Sequence, residues 1–295
     1  MKDRISHTIR PLDYKNVCIE EIKKYILIIK NQDIHFINFN IKMFEKINDY
    51  SSWVELAQEV KKFADENDMQ IPVTHATYNN SLVLSDGFDD DLIKRIKAGI
   101  EVTRIFNAKT MVIHPGISYS SGKYDETRTV TDNTEYFKEV VLLAEKDGIT
   151  VAFENDIVAD ITDEKHIFKP SVITVNDLVN NINNLYGTHT KICYDLGHAN
   201  ISWGYVEDLQ KINKNLGCFH IHNNHGYTIK NDYWKNDTHN PCYDGIIDYE
   251  LFFKNLKKIG YTGDIVIESV YRDAEPLLSK SIKKDYQFIK KLSES

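Results

Sequence analysis

Short apolar runs alternate with segments of helical period along the whole chain, eight times over. The runs lie near Arg4–Thr8, Ile34–Phe39, Ile71–His75, Thr110–His114, Thr150–Glu154, Lys191–Asp195, Gly217–Ile221 and Ile265–Glu268, and most are apolar on both faces. Between the first two, Ile19, Ile22, Ile26 and Ile29 recur at the spacing of an amphipathic helix. Ser51 or Ser52 can cap a second helix reaching Glu66, and further helices are expected over Asp89–Phe106, Thr134–Glu145, around Val175–Ile182, and over Val206–Leu216, Asp248–Ile259 and Pro276–Leu292. Eight β-then-α units with nearly doubly buried strands predict an α/β chain closed into a parallel (β/α)8 barrel, one domain over residues 1–295. An open doubly wound sheet is the alternative. It more usually carries a glycine-rich phosphate turn after its first strand, and residues 7–14, His-Thr-Ile-Arg-Pro-Leu-Asp-Tyr, contain no glycine.

Six of these runs end abruptly on a ligand-type side chain: His75, His114, Glu154, Asp195, His220 and Glu268. For Asp195, with His198 three residues on, a cap and a hydrogen-bonded loop histidine explain the pair as well as a site does. Six repetitions tip the balance, because apolar strands have no packing use for such ends. The longest segments, about 117–130, 156–173 and 223–245, all follow strands and so emerge on the same rim, where barrel enzymes place their sites. Glu154, Asp195, His220 and Glu268 would share one cavity mouth, where three carboxylates at low dielectric repel one another. A divalent cation, Mn, Mg, Co or Zn, removes that repulsion. Five further candidates, His75, His114, His198, Asp237 and His239, raise the number to nine, more than one ion can hold. Either some are hydrogen-bonders behind the ligands or the mouth holds two or three metals, zinc if multinuclear.

Composition narrows the partners. A formal net charge of −8 disfavours nucleic acid without excluding it. Cys18, Cys193, Cys218 and Cys242 have no metal or redox spacing and read as free thiols. Residues 1–7 lack a signal-peptide core, and no stretch is apolar enough to span a bilayer, so a cytoplasmic protein is expected, with no membrane partner. A homo-oligomer is allowed, and nothing in the sequence decides it.

The ordered set Val-Ile-His114-Pro-Gly, Phe-Glu154-Asn, Asp195-Leu-Gly-His198, His220-Ile-His-Asn223 and Ile-Glu268, with Gly260-Tyr-Thr-Gly263 before the last strand, resembles the xylose-isomerase-like TIM barrel superfamily. The resemblance covers the chain from about His75 to the C-terminus. That group contains sugar and sugar-phosphate isomerases and epimerases and, more distantly, the apurinic-site endonucleases of the endonuclease IV group. In the first branch, the resemblance implies one divalent metal on Glu154, Asp195, His220 and Glu268. The two glutamates would act as acid and base through an enediolate, and His198 would steady a substrate hydroxyl. In the second branch it implies three zincs on all nine positions, with His75, His114 and Asp237-Thr-His239 matching.

Two features favour the small-molecule branch. The closing segment, Asp244-Gly-Ile-Ile-Asp-Tyr249 followed by Leu256-Lys-Lys-Ile-Gly-Tyr-Thr-Gly263, is closer to the isomerases. The rim loops mix Lys123, Arg128, Lys230 and Lys235 with Asp125, Glu126, Asp156, Asp160, Asp163, Glu164 and Asp232, a poor track for phosphates. The expectation is a metal-dependent isomerase or epimerase of a sugar or sugar phosphate, with a zinc phosphodiesterase of abasic DNA as the rival. A metal-stabilised barrel that binds a polyol without turning it over is the third reading. His198, Tyr78, His114, Trp203 and Asn223 are the expected substrate contacts, although Tyr78 suits a DNA wedge and Trp203 a packing role as well. Tyr227, Tyr233 and Trp234 suit a lid or a loop anchor. His222 is expected behind the ligands at best, and His7, His35, His166 and His189 are expected to be structural.

Overall fold

In the computed structural model the described residues are 4–10, 17–156, 158–160, 167–202, 209–229, 233–274 and 276–295, with the side chains of 158–160, 167–169, 233 and 234 outside the description. Eight strands form the frame: β1 (Ile5–Thr8), β2 (Phe36–Asn40), β3 (Gln70–His75), β4 (Thr110–Ile113), β5 (Thr150–Glu154), β6 (Lys191–Asp195), β7 (Leu216–Ile221) and β8 (Asp264–Ile267). Each pairs in parallel with its neighbours in sequence, and β8 returns to β1, so the barrel is closed. Closure leaves no strand edge unpaired, which an all-parallel set of short apolar strands requires.

Alternation along each strand sorts the side chains. One set, including Ile37, Phe39, Phe153 and Phe219, faces the helices in the main apolar core. The other set points inward, where Val73, Val112, Ala152, Cys193, Cys218 and Val266 form a separate small cluster inside the barrel. The two cysteines here fill space as free thiols; the buried Cys242 and the exposed Cys18 are free too.

The outer layer departs from expectation in particular places. A helix begins at Glu126, inside the segment expected to be loop, with the Asp125 carboxylate accepting from the Arg128 amide at 2.9 Å. It breaks at Phe137 and resumes over Lys138–Lys146, where a single helix over 134–145 was expected. Thr127, Thr129, Thr131 and Thr134 disguise it: such residues have low helix propensity, and here Thr131 and Thr134 turn their hydroxyls back to the carbonyls of Thr127 and Val130. Asp49, rather than Ser51 or Ser52, caps the turn before Trp53–Glu66, accepting from the Tyr50 amide at 2.7 Å. Of the helix expected over 206–216, Leu209–Ile212 is helical, Asn213–Asn215 is a tighter turn, Leu216 already belongs to β7, and 206–208 lie outside the described residues. The stretch 156–173 carries an antiparallel pair, Val158–Asp160 with Ile167–Lys169. Among the described residues no helix is long and apolar enough to cross a membrane.

Candidate metal and substrate site

Each residue of the inner apolar cluster lies two positions before a candidate ligand: Val73 before His75, Val112 before His114, Ala152 before Glu154, Cys193 before Asp195, Cys218 before His220, and Val266 before Glu268. Because side chains of a strand alternate, the ligands stand one layer above that apolar floor, facing the same axis. Register agrees, with Asp195 opposite His220 on the adjoining strand.

Three adjoining groups result. The ligand atoms of Glu154, Asp195, His220 and Glu268 lie within 4.8 Å of one another, all buried. Glu154 Oε1 meets His220 Nδ1 at 3.1 Å, while its Oε2 is 3.2 Å from both His75 Nε2 and His114 Nε2. One carboxylate thus joins two groups. The third consists of His198, His222, Asp237 and His239, again within 4.8 Å.

Hydrogen bonds behind the rings fix which nitrogen faces the centre. A carbonyl can only accept, so Nδ1 carries the hydrogen in His75 (to Ala76 O, 2.8 Å), His198 (to Asn155 O, 2.8 Å) and His239 (to Glu268 O, 3.0 Å). Their Nε2 lone pairs are left pointing inward. His114 is held the same way by Asp156, 2.8 Å from Nδ1. A ring nitrogen tied to an oxygen behind it is how proteins orient histidine toward a metal. Asp195 does both things its sequence context allowed: Oδ1 caps the helix Leu196–Ile201 by accepting from His198 N at 2.6 Å, and Oδ2 stays free. The Asn155 amide clamps Asp195 from behind, donating to its carbonyl and accepting from its N–H at 2.9 Å each.

The electrostatics call for a cation. Asp195 Oδ2, His220 Nε2, His222 Nε2 and Asp237 Oδ1 are buried polar atoms with no hydrogen-bond partner, each costly to leave so. Burial opposes charge on His114, yet Asp156 and Glu154 outweigh it and raise its pKa to about 10; Glu154 and Glu268 do the same for His220, also to about 10. Burial likewise disfavours the charged forms of Glu154 and Glu268, but the histidines beside them, and Arg10 beside Glu268, prevail. Glu154 is held well below the usual carboxylate range and Glu268 at about 2. Without a metal, protons on the histidines supply the positive charge. The donor set and its orphaned atoms fit one or more divalent ions in their place.

The groups open into a cavity of about 660 Å³ lined by Tyr78, His75, His114, His198, His239 and Glu268 among others. That is the size of a small-molecule site. Tyr78 stacks on His114 with ring centroids 4.7 Å apart and 14° between planes, so it forms a wall of the cavity. Asn223 corrects the expectation of a substrate contact: its amide donates to Cys242 O and accepts from the Asn224 and Ile247 amides, and it does not line the cavity. Trp203 lies outside the described residues, as do the side chains of Tyr233 and Trp234. His222 is nearer than expected, fully buried, 3.3 Å from Asp195 and 3.7 Å from Asp237. Its ring is stacked on His239 with centroids 3.7 Å apart. A Cβ on Gly197 would lie 2.1 Å from that ring, so the glycine makes its room. Sequence reading also passed over Asp156, which orients His114, and Arg10, 3.7 Å from Glu268.

Comparison with known proteins agrees with the barrel fold. Residues 35–292 match the family model described as xylose isomerase-like TIM barrel. The uncharacterized protein MJ1311 of Methanocaldococcus jannaschii is 27% identical over 220 residues, covering 72% of this chain and 69% of its own length. Among solved structures, a D-tagatose 3-epimerase-like protein superposes with a TM-score of 0.72 at 20% identity, covering 99% of this chain and 97% of that one. D-psicose 3-epimerase from Clostridium cellulolyticum H10 gives 0.70 at 16%, covering 99% and 100%. The IOLI protein, solved with a zinc atom, gives 0.67 at 15%, covering 98% and 96%. At these identities the structural likeness speaks for the fold, and the family model, spanning most of the chain, places the protein in the xylose isomerase-like TIM barrel family.

Proposed function

We infer that this protein is a divalent-metal-dependent isomerase or epimerase of a sugar or sugar phosphate, moving a proton through an enediolate. The observation that carries the reading is the meeting of two ionised glutamates, Glu154 and Glu268, with Asp195 and His220 at the floor of a cavity large enough for a small molecule. The tagatose and psicose 3-epimerases with the same fold are named for chemistry of this kind.

Glu154, Asp195, His220 and Glu268 would hold the ion, Mn, Co, Mg or Zn, whose mixed oxygen and imidazole donors suit a borderline metal. When bound, the ion supplies stabilisation of negative charge on the substrate's carbonyl oxygen. Glu154, kept ionised by the histidines around it, is placed to take a proton from the carbon next to that carbonyl. Glu154, protonated by that step, can return the proton to the adjacent carbon. Glu268, three strands further round the ring, would deliver a proton to the opposite face only after taking one up from solvent, while Glu154 releases its own to solvent. The Thr8 hydroxyl, donating to Glu268 Oε1 at 3.3 Å, orients that carboxylate. His198 steadies a substrate hydroxyl, and Tyr78 closes the wall over His114.

The test is incubation of metal-loaded protein with ketopentoses, ketohexoses and their phosphate esters in heavy water. Deuterium entering next to the carbonyl, dependent on the metal, is the expected result; no incorporation with any of them overturns the reading. A zinc phosphodiesterase acting on abasic DNA is the second reading, favoured by the three adjoining groups, which have donors for two or three ions. Two to three zincs per chain by elemental analysis, with incision of an abasic duplex and no deuterium exchange, would decide for it.

A further inference from the structure

The floor of the cavity is acidic and imidazole-rich from β3 round to β8, but β1 and β2 contribute something different. Thr8 and Asn40 end these strands and line the cavity, and two residues beyond them come Arg10 and Lys42, with Lys46 one helical turn further on. We propose that Arg10, Lys42 and Lys46 form a subsite for the phosphate ester of a phosphorylated monosaccharide, whose carbonyl end faces the Glu154–Glu268 cluster. The inference rests on the isomerase reading for the sugar, but not for the anion.

Three cations on one wall of a cavity, in a chain of net charge −8, need an explanation. Ion pairing does not supply it for Lys42. Glu45, the carboxylate nearest in sequence, is engaged by Arg95 at 2.7 Å and by the Thr77 hydroxyl. The Lys42 ammonium instead donates to the Tyr78 carbonyl at 3.2 Å and sits 3.7 Å over the Tyr78 ring. Those contacts position the charge without neutralising it. Burial, reinforced by the like charges of Lys46 and Arg95 and opposed by Glu45, lowers its pKa, so an anion in the cavity would relieve a real electrostatic cost.

Arg10 completes the wall. Its Nη2 is 3.7 Å from Glu268 Oε2, while its Nε is buried with no partner. A guanidinium with one edge committed and another donor unmatched is suited to oxygen-rich anions. Orientation follows from charge: five carboxylates, Glu154, Asp156, Asp195, Asp237 and Glu268, surround the floor and would repel an anionic group there. A phosphate dianion matches three cations better than a single carboxylate does.

The experiment uses chelator-stripped full-length protein and inorganic phosphate as the probe, followed by calorimetric titration, so that neither metal nor turnover is needed. Wild-type protein should bind phosphate, and a Lys42→Gln/Lys46→Gln double variant with an unchanged melting profile should bind it at least tenfold more weakly. Equal binding by the two proteins overturns the subsite, as does no binding by wild type. A kinetic arm separates the sources of the anion. If the isomerase reading holds, kcat/KM should favour phosphorylated over unphosphorylated ketoses, and the double variant should lose most of that preference. No preference overturns the subsite while leaving the isomerase reading intact. Lysine-dependent phosphate binding without exchange in any sugar retains the anion site and discards the isomerase reading. Lysine-dependent binding of an abasic duplex tighter than of any sugar phosphate overturns the assignment to a monosaccharide.

Discussion

The Nε2 atoms of His75 and His114 lie 3.1 Å apart, although each ring already has its Nδ1 committed to an oxygen behind it, Ala76 O and Asp156 Oδ2. Two lone pairs do not face each other at that distance without positive charge between them. In the metal-free protein a proton supplies it. A divalent ion should displace that proton and bind more tightly, with Glu154 Oε2 completing the corner. Adding a bound metal at a hundred times its Kd stabilises the folded chain by about 2.7 kcal/mol, a rise in Tm of about 4 °C for a protein of this size. Differential scanning of chelated and reloaded protein checks this, and identical melting curves would count against a metal.

Glu154 bridges two of the three groups through its two oxygens. Glu154→Gln keeps the shape and removes the charge. Solvent-deuterium exchange into a ketose should drop by about 10²–10⁴-fold, with circular dichroism unaltered. Undiminished exchange would take Glu154 out of the proton-transfer role.

The pH dependence of the metal-free protein has a definite sign. His114 and His220 have folded pKa values of about 10, above their unfolded value of about 6.5, so their stabilisation is complete below about pH 6.5 and fades as pH rises toward 10. Glu268, at about 2 when folded, contributes above about pH 4.5 and loses its contribution as pH falls toward 2. Metal-free protein should therefore melt highest between about pH 4.5 and 6.5 and lower at pH 9. Metal-loaded protein should invert that trend on the alkaline side, because deprotonated histidines bind the ion better. Parallel curves for the two forms would refute the exchange of protons for metal.

Gly197 is the room in which His222 stands. Gly197→Ala should force that ring out of its stack on His239 and cost about 1–3 kcal/mol. His222→Asn makes a milder companion variant, leaving the backbone undisturbed. Both should bind less metal than wild type in equilibrium dialysis; full metal content in His222→Asn would mean that the imidazole only packs.

Asn223 ties three backbone groups of the loop after β7. Asn223→Ala should lower stability by about 2 kcal/mol or more, since buried backbone donors lose their acceptor, and should leave KM for any substrate unaltered. A raised KM with normal stability would restore it to the substrate side.

Much of the site is legible because a strand alternates. A polar residue two positions after Val73, Val112, Ala152, Cys193, Cys218 or Val266 must face the same interior, and the sequence offers it nothing there to hydrogen-bond. Beyond the strand ends that logic stops. His222 follows the last residue of β7, and its direction depends on the absence of a side chain at Gly197 in the short helix after β6. Asn223 belongs to the same motif as His220 but turns its amide to backbone groups, because the loop running to Ile247 folds back over it. The helix at Glu126 is hidden in the sequence for a local reason: its threonines carry a loop-like composition, and the Asp125 cap starts it.

From the amino acids alone came the eight-fold alternation of elements, the parity that sends the acidic and imidazole side chains to one rim, and the repulsion that calls for a cation. Only the closed ring decided how those side chains group: that Glu154 serves two clusters at once, that Asp195 caps with one oxygen and leaves the other free, and that Arg10 and Lys42 face the acidic floor across a shared cavity. Apart from the local Asp195 cap, those relations are distances between strands far apart in sequence, set by strand stagger and loop packing, and no residue's own neighbours encode them.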